Sequence, residues 1–520
     1  MNRDEMVGAV LERREPWDLI VIGGGATGVG VAVDAAARGY EVLLLEQHDL
    51  GKGTSSRSTK LVHGGVRYLE QGNVSLVMEA LRERGILRQN APHLVGDLGF
   101  VVPNYEWWET PFYGIGLKVY NALAGKYGFG ASEILSKEET LARLPTIRKE
   151  GLRGGVVYYD GQFDDARLLV NMAATAVEQG ATLLNYAPVS ALHRGADGFV
   201  DGVHARDLES GREFSAHARL VINAGGPFCD AVRRLADPAA TPMIAPSQGI
   251  HLVFSGDFLT GGSAIMVPHT SDGRVLFAIP WQGHTLVGTT DTPIAEAVLE
   301  PRAREDEIAF VLDTAAHYLD RPPTRADVLS VYVGIRPLVR SGDAKSTAAL
   351  SRDHTIHIDG SGLLTVTGGK WTTYRNMAED CVNQAADLAR LPERPCPTKQ
   401  LNIHGFHRSA GKFGALALYG SDALPIQDLI RAEPSLGARL HPALPYTEAE
   451  VVWAVRVEMA RAVEDVLARR TRALFLNARA ALAMAPRVAE LMARELHRDT
   501  GWVASQVAAF EELGRGYLLE

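Results

Sequence analysis

Cysteine is scarce in this chain: Cys229, Cys381 and Cys396 are the three among 520 residues, and no two form a Cys-x-x-Cys pair. That argues against a disulfide framework and a cysteine-rich metal centre, so reduced thiols and no metal are expected. Positive charge is also short, with 53 Lys and Arg against 62 Asp and Glu for a net charge of -9. The chain therefore lacks the basic field that phosphate backbones require, and no nucleic-acid partner is expected. No apolar run approaches the length that spans a bilayer, and Met1 to Pro16 is charged without the apolar core of a signal peptide. The expected location is cytoplasmic, or peripheral on the cytoplasmic face of the inner membrane. Internal repeats and low-complexity tracts are missing as well. What is present is an ordinary globular composition, 46% hydrophobic and 22% charged, in a chain long enough for two or three cores.

The informative region begins with the apolar run Leu19 to Ile22, which leads into Gly23-Gly24-Gly25-Ala26-Thr27-Gly28 and an alanine-rich helix ending near Gly39. A second strand, Glu41 to Leu45, ends in Glu46. This is a dinucleotide-binding unit: Gly23 permits the tight turn, Gly25 lets the backbone approach a pyrophosphate, Gly28 lets helix and strand pack closely, and Glu46 can accept from a ribose hydroxyl. The unit alone does not separate FAD from NAD. Gly53-Thr54-Ser55-Ser56-Arg57-Ser58-Thr59-Lys60-Leu61-Val62-His63-Gly64-Gly65-Val66-Arg67-Tyr68-Leu69-Glu70 follows at once.

That second stretch resembles the FAD-dependent glycerol-3-phosphate dehydrogenases. Similar stretches recur at Phe163 to Leu168, Val221 to Pro227, Val287 to Asp291, Gly334 to Leu338 and Gly368 to Arg375. The tail segments Glu450 to Arg456 and Val463 to Arg472 resemble the same family, so the likeness runs from Trp17 nearly to the end. It implies an α/β fold of the glutathione-reductase and amino-acid-oxidase type: an FAD-binding Rossmann-like domain, an antiparallel-sheet substrate cap and a C-terminal helical domain. The chain divides accordingly, with FAD-binding parts at 17–95, 161–235 and 351–392, a cap insertion at 96–160, the antiparallel cap at 236–350 and helices over 398–520. Short runs such as Ile250 to Phe254 and Val275 to Ile279 between Gly and Asp turns fit that cap. The repeated return to the nucleotide layer itself favours FAD over NAD.

For the FAD contacts, the resemblance implies Gly23, Gly25, Ala26, Thr27, Gly28, Glu46, Thr54, Ser55, Ser56, Lys60, Leu61, His63, Gly64, Ala224, Gly225, Gly369, Lys370, Thr372 and Thr373. Sn-glycerol 3-phosphate offers a phosphate dianion and a secondary alcohol, so its site needs cations and a proton acceptor. Arg67 and Arg336 suit bidentate phosphate contacts, Lys370 adds a point charge and Tyr68 a hydrogen bond. The base is His251 or His63, with His251 preferred, although Gln248-Gly249-Ile250-His251 departs from the Lys-Gly-Ser-His more usual in the family. His251, His63, Lys370 and Arg336 thus form the catalytic set. The activity implied is oxidation of sn-glycerol 3-phosphate to dihydroxyacetone phosphate, with electrons passing to a quinone. An oxygen-reducing glycerol-3-phosphate oxidase, or a flavin oxidase of amines or 2-hydroxy acids, is the alternative. From Phe100 to Phe129 aromatics mix with Gly and Pro, which suits an irregular insertion. Trp107, Trp108, Phe112, Tyr113, Leu117, Tyr120 and their neighbours suit either a membrane-interface element or packing on the cap. A homodimer is left open.

Overall fold

Trp17–Ile22 forms the middle of a parallel sheet because both of its faces are apolar. A computed structural model describes residues 1–519 apart from 66–72, 107–108, 268–269, 271–274 and 341–352. Across this sheet the strands run His354–Ile358, Leu364–Gly368, Glu213–Asn223, Trp17–Ile22, Val42–Leu45 and Thr182–Leu184. All neighbours are parallel except His354–Ile358, which is antiparallel to Leu364–Gly368. Successive side chains feed opposite cores, as the two-residue period of a strand requires. Leu19 and Val21 join one core with the helices Ala26–Ala37, Asp165–Glu178 and Tyr374–Leu388, while Ile20 and Ile22 join the other with Val200, Val203 and Ala216 of an antiparallel meander. The meander consists of Val189–Arg194, Val200–Arg206 and the outer half of Glu213–Asn223.

A second, mixed sheet runs Thr292–Pro293, Ile244–Ser255, His284–Gly288, Leu276–Trp281, Ala264–Val267, Val95–Asn104, Gly154–Phe163 and Leu61–Val62, with Ser330–Val339 also paired to Ile244–Ser255. The irregular insertion expected over Phe100 to Phe129 is corrected here. Val95–Asn104 is a regular strand in this sheet, and Glu109–Ala124 is a helix whose Tyr113, Leu117, Tyr120 and Ala124 form a buried stripe. Its aromatic content hid a helical period. The same burial turns Tyr113, Leu117 and Tyr120 away from any membrane-facing surface, and Trp107 and Trp108 lie outside the described residues.

Beyond Pro397 the chain is mainly helical, with Ala423–Ala432, Glu448–Val457, Ala478–Leu496 and Thr500–Arg515 packed around a large core. Among the described residues no helix is long and apolar enough to cross a membrane. An N-terminal helix, Arg3–Glu12, capped by Asn2, was not expected. It is pinned where buried Arg3 meets Asp207 at 2.6 Å.

Candidate active site

At the carboxyl ends of the parallel strands lies a cleft of about 450 Å³, bounded by the glycine turn, Glu46, Thr54, Ser55, Ala224-Gly225 and Gly368 to Trp371. Its floor is close-packed backbone. A Cβ at Gly28 would stand 1.9 Å from the Gly23 carbonyl oxygen, and one at Gly23, whose φ is +113°, would stand 2.6 Å from that of Ala224. Neither contact can be relieved by a rotamer change, so both positions demand glycine. At Gly25 an added Cβ would approach only Ser55 Oγ, at 3.1 Å, which leaves the helix N-terminus of Ala26–Ala37 open to the cleft. This cradle fits a pyrophosphate.

Glu46 borders the cleft with one carboxylate oxygen accepting from Gly24 N at 2.6 Å and the other from His48 N at 2.8 Å. Burial pushes its carboxyl up, and those two backbone donors pull it back. Ser55 Oγ accepts from Ala26 N at 2.9 Å, while Trp371 Nε1 donates to Ser55 O at 2.8 Å, so three separate chain segments meet at one serine. Gly368 and Gly369, both with positive φ, carry the chain past the wall to Lys370. Buried Asn223 donates to Cys229 O at 2.9 Å and accepts from Gly225 N at 3.1 Å, which fixes the Ala224-Gly225 turn.

Several residues assigned to the cofactor from sequence do not line this cleft. Lys60 is fully buried, left-handed at φ +63°, and donates to Asp165 at 2.7 Å and to Ser56 O at 2.9 Å. Burial depresses its ammonium to about 7 although Asp165 opposes this, and its hydrogen bond to Ser56 O braces the Ser55-Ser56 loop from behind. Ser56 likewise turns inward to donate to Gly51 O at 2.7 Å. Leu61 is buried in the second sheet, Gly64 N donates to Tyr120 Oη at 2.9 Å, and His63 N donates to Thr372 Oγ1 at 3.2 Å. Thr372 and Thr373 are themselves buried where the chain enters Tyr374–Leu388. These contacts tie the segments around the cleft together.

Arg336 and His251 form a neighbouring cluster on facing strands of the second sheet. Arg336 donates to Thr290 O at 2.8 Å and pairs with Asp291 at 3.1 Å, an arrangement that aims its guanidinium while leaving it partly exposed. His251 stacks on Tyr332, ring centroids 4.7 Å apart, and its Nε2 lies 2.9 Å from Thr59 Oγ1. Burial, then the charges of Lys60 and Arg336, drive its pKa well down, so the imidazole is neutral. Arg67 and Tyr68 fall outside the described residues.

Thr59, Tyr332, Asp291 and Asp165 were not singled out from sequence. Nor was the role of the tail. Arg472 reaches across to donate to Ser56 O at 2.7 Å and to Asp165 at 3.2 Å, while Arg470 meets Asp49 at 2.9 Å. Asp165, Arg470 and Arg472 sit inside stretches already noticed, Phe163 to Leu168 and Val463 to Arg472, but contacts between positions 307 to 421 apart leave no periodic signal.

Residues 18–375 match the family model for FAD dependent oxidoreductase, and residues 365–502 match that for the C-terminal domain of alpha-glycerophosphate oxidase. The chain is 42% identical to a mitochondrial glycerol-3-phosphate dehydrogenase of Arabidopsis thaliana, with 92% of this chain and 83% of that protein covered. It is 41% identical to the mitochondrial glycerol-3-phosphate dehydrogenase of Homo sapiens, over 94% of this chain and 72% of the human protein. The crystal structure of a Bacillus halodurans glycerol-3-phosphate dehydrogenase complexed with FAD superposes with a TM-score of 0.80 at 30% identity, covering 99% of this chain and 97% of that one.

Proposed function

The chain belongs to the FAD-dependent glycerol-3-phosphate dehydrogenases, and from that premise we propose that it oxidises sn-glycerol 3-phosphate to dihydroxyacetone phosphate and delivers the electrons to a quinone. FAD, when bound in the cleft, supplies the hydride acceptor for C2 of the substrate. The observation that carries the reading is the Arg336 and His251 cluster beside that cleft, which pairs a cation for the phosphate with a neutral imidazole for the alcohol proton.

Asp291 and Thr290 O orient the Arg336 guanidinium, whose planar fork matches two phosphate oxygens. Lys370, at the cleft wall, adds a second positive charge. Thr59 and the Tyr332 ring hold the His251 imidazole in one plane, and burial keeps it in the neutral form that can accept a proton. Arg67 and Tyr68 complete the proposed substrate set, and His63 the wall. Quinones lie in bilayers, so the reading puts the protein at a membrane surface, on its cytoplasmic face. Exposed Met78 of the helix Val74–Asn90, Val119 of Glu109–Ala124 and Ile134 of the strand Glu133–Ser136, on elements in contact, support the membrane surface. One observation favours oxygen as acceptor instead: the model matching residues 365–502 takes its name from an oxidase.

Anaerobic addition of glycerol 3-phosphate to the holoenzyme should bleach the visible flavin band, and a soluble quinone should restore it faster than air does. No bleaching would overturn the substrate, and faster restoration by air would move the acceptor to oxygen. Arg336→Ala should slow bleaching by glycerol 3-phosphate by about 10 to 150-fold, the loss of a charge-assisted contact of about 1.5 to 3 kcal/mol. Glycerol should show no matching loss.

A further inference from the structure

The outer face of the meander carries a cluster unrelated to the cleft. His193 of Val189–Arg194 is in register with Gly202 of the central strand, and Gly202 is in register with His217 of Glu213–Asn223. Two imidazoles therefore face each other across a residue that has no side chain, with ring centroids 4.6 Å apart and planes at 81°. The gap is specific to glycine, since a Cβ at Gly202 would stand 3.2 Å from His217 Nδ1 and 2.5 Å from Ala216 O.

Asp201 completes the group by an irregularity. The pairing skips from His193–Gly202 to Arg194–Val200, so Asp201 is the extra residue of a bulge, and its carboxylate reaches His193 Nδ1. One ligand atom each from His193, Asp201 and His217 lies within 4.8 Å of the others. His204 stands beside them, turned aside by a 2.8 Å hydrogen bond between its Nδ1 and Ser215 Oγ.

We propose that His193, Asp201 and His217 bind a divalent transition-metal ion of the zinc class. Two imidazole nitrogens and one carboxylate oxygen are the donor set such an ion prefers, and solvent can fill the fourth tetrahedral position. The present His193–Asp201 contact opens to the ligand spacing of roughly 3.3 Å that bonds of about 2.0 Å impose. The ion would tie together the three strands of the meander. Hard cations such as Mg²⁺ would not compete, because they demand oxygen ligands.

Equilibrium dialysis of the holoenzyme against micromolar Zn²⁺, with elemental analysis, should give one more zinc per chain in the native sequence than in the His193→Ala/His217→Ala double variant, with excess Mg²⁺ making no difference. His204→Ala should keep the full content. Zinc should also raise the melting temperature of the native holoenzyme and leave that of the double variant unchanged. Equal zinc content in the native and doubly substituted proteins, or loss of the zinc to Mg²⁺, would overturn the proposal.

Discussion

Asp49 is a side chain whose charge can be removed with little change of shape, and the structure says what that should cost. It is completely buried between the cofactor strand Val42–Leu45 and the Ser55 loop, and it accepts from both Arg469 and Arg470 of the C-terminal region. Burial opposes its ionised form, but Arg470 and then Arg469 more than reverse that and hold the carboxyl at about 2. Against an ordinary value of 3.8, this corresponds to about 2 kcal/mol of preference for the charged state. That contribution is complete above pH 3.8 and disappears as the pH falls toward 2. Asn mimics the protonated carboxyl, so Asp49→Asn at pH 7 should cost about 2 to 5 kcal/mol, the upper figure applying where the arginines are left poorly compensated. A chain with several cores need not unfold in one step, so flavin release and tryptophan exposure are followed separately in urea. With a slope of about 3 kcal/mol per molar, the release midpoint should fall by roughly 0.7 M or more. Asp306, exposed and ion-paired with Arg304, is the control, and the release curve of Asp306→Asn should overlay that of the native protein. Coincident release curves for Asp49→Asn and the native protein would refute the idea that the tail arginines secure the cofactor loop.

Thr59→Val should slow anaerobic flavin reduction by about 5 to 150-fold, the equivalent of about 1 to 3 kcal/mol for a buried hydrogen bond to His251. FAD content should be unchanged, and Thr59→Ser should recover most of the rate; a native rate in Thr59→Val would show that the hydroxyl does not orient the imidazole. His404 bridges Glu178 at 2.6 Å and Asp422 at 2.8 Å. Burial lowers its pKa but Asp422 and Glu178 outweigh it and raise the value to about 9, so its stabilising effect is full below pH 6.5 and is lost as the pH rises through about 9. Urea titrations at pH 6.5 and 9.5 should differ by about 1 to 3 kcal/mol more in the native protein than in His404→Gln; equal differences would assign the pH effect to other groups.

The Gly23 to Gly28 turn was legible because its physics is local: strand, turn and helix are consecutive, and each glycine answers a steric demand within a few residues. The place of Glu46 at the edge of the cleft was legible for the same reason. Lys60 was misread because a lysine in a cofactor motif has the same letter whether it faces the ligand or a buried aspartate, and Asp165 lies 105 positions away. The Phe100 to Phe129 segment misled for another reason, since glycine and aromatic content suggested irregularity while the spacing of Tyr113, Leu117, Tyr120 and Ala124 already carried the helix. The Arg336 and His251 cluster was placed by motif, yet its partners Asp291, Thr59 and Tyr332 come from three different segments and could be found only by folding the chain.

The arginine contacts of the tail have a consequence for the order in which the protein comes into being. Asp49 and Ser56 belong to the loop that borders the cleft, and their partners Arg470 and Arg472 follow them by 421 and 416 positions. During synthesis at roughly 5 to 20 residues per second, that loop emerges tens of seconds ahead of the groups that neutralise and bind it. In the interval Asp49 lacks both of its arginine partners and the Ser56 carbonyl lacks its arginine donor. A nascent chain thus carries the whole glycine turn long before it can hold FAD firmly, and ribosome-bound chains arrested before Arg469 should exchange the cofactor rapidly while released ones retain it.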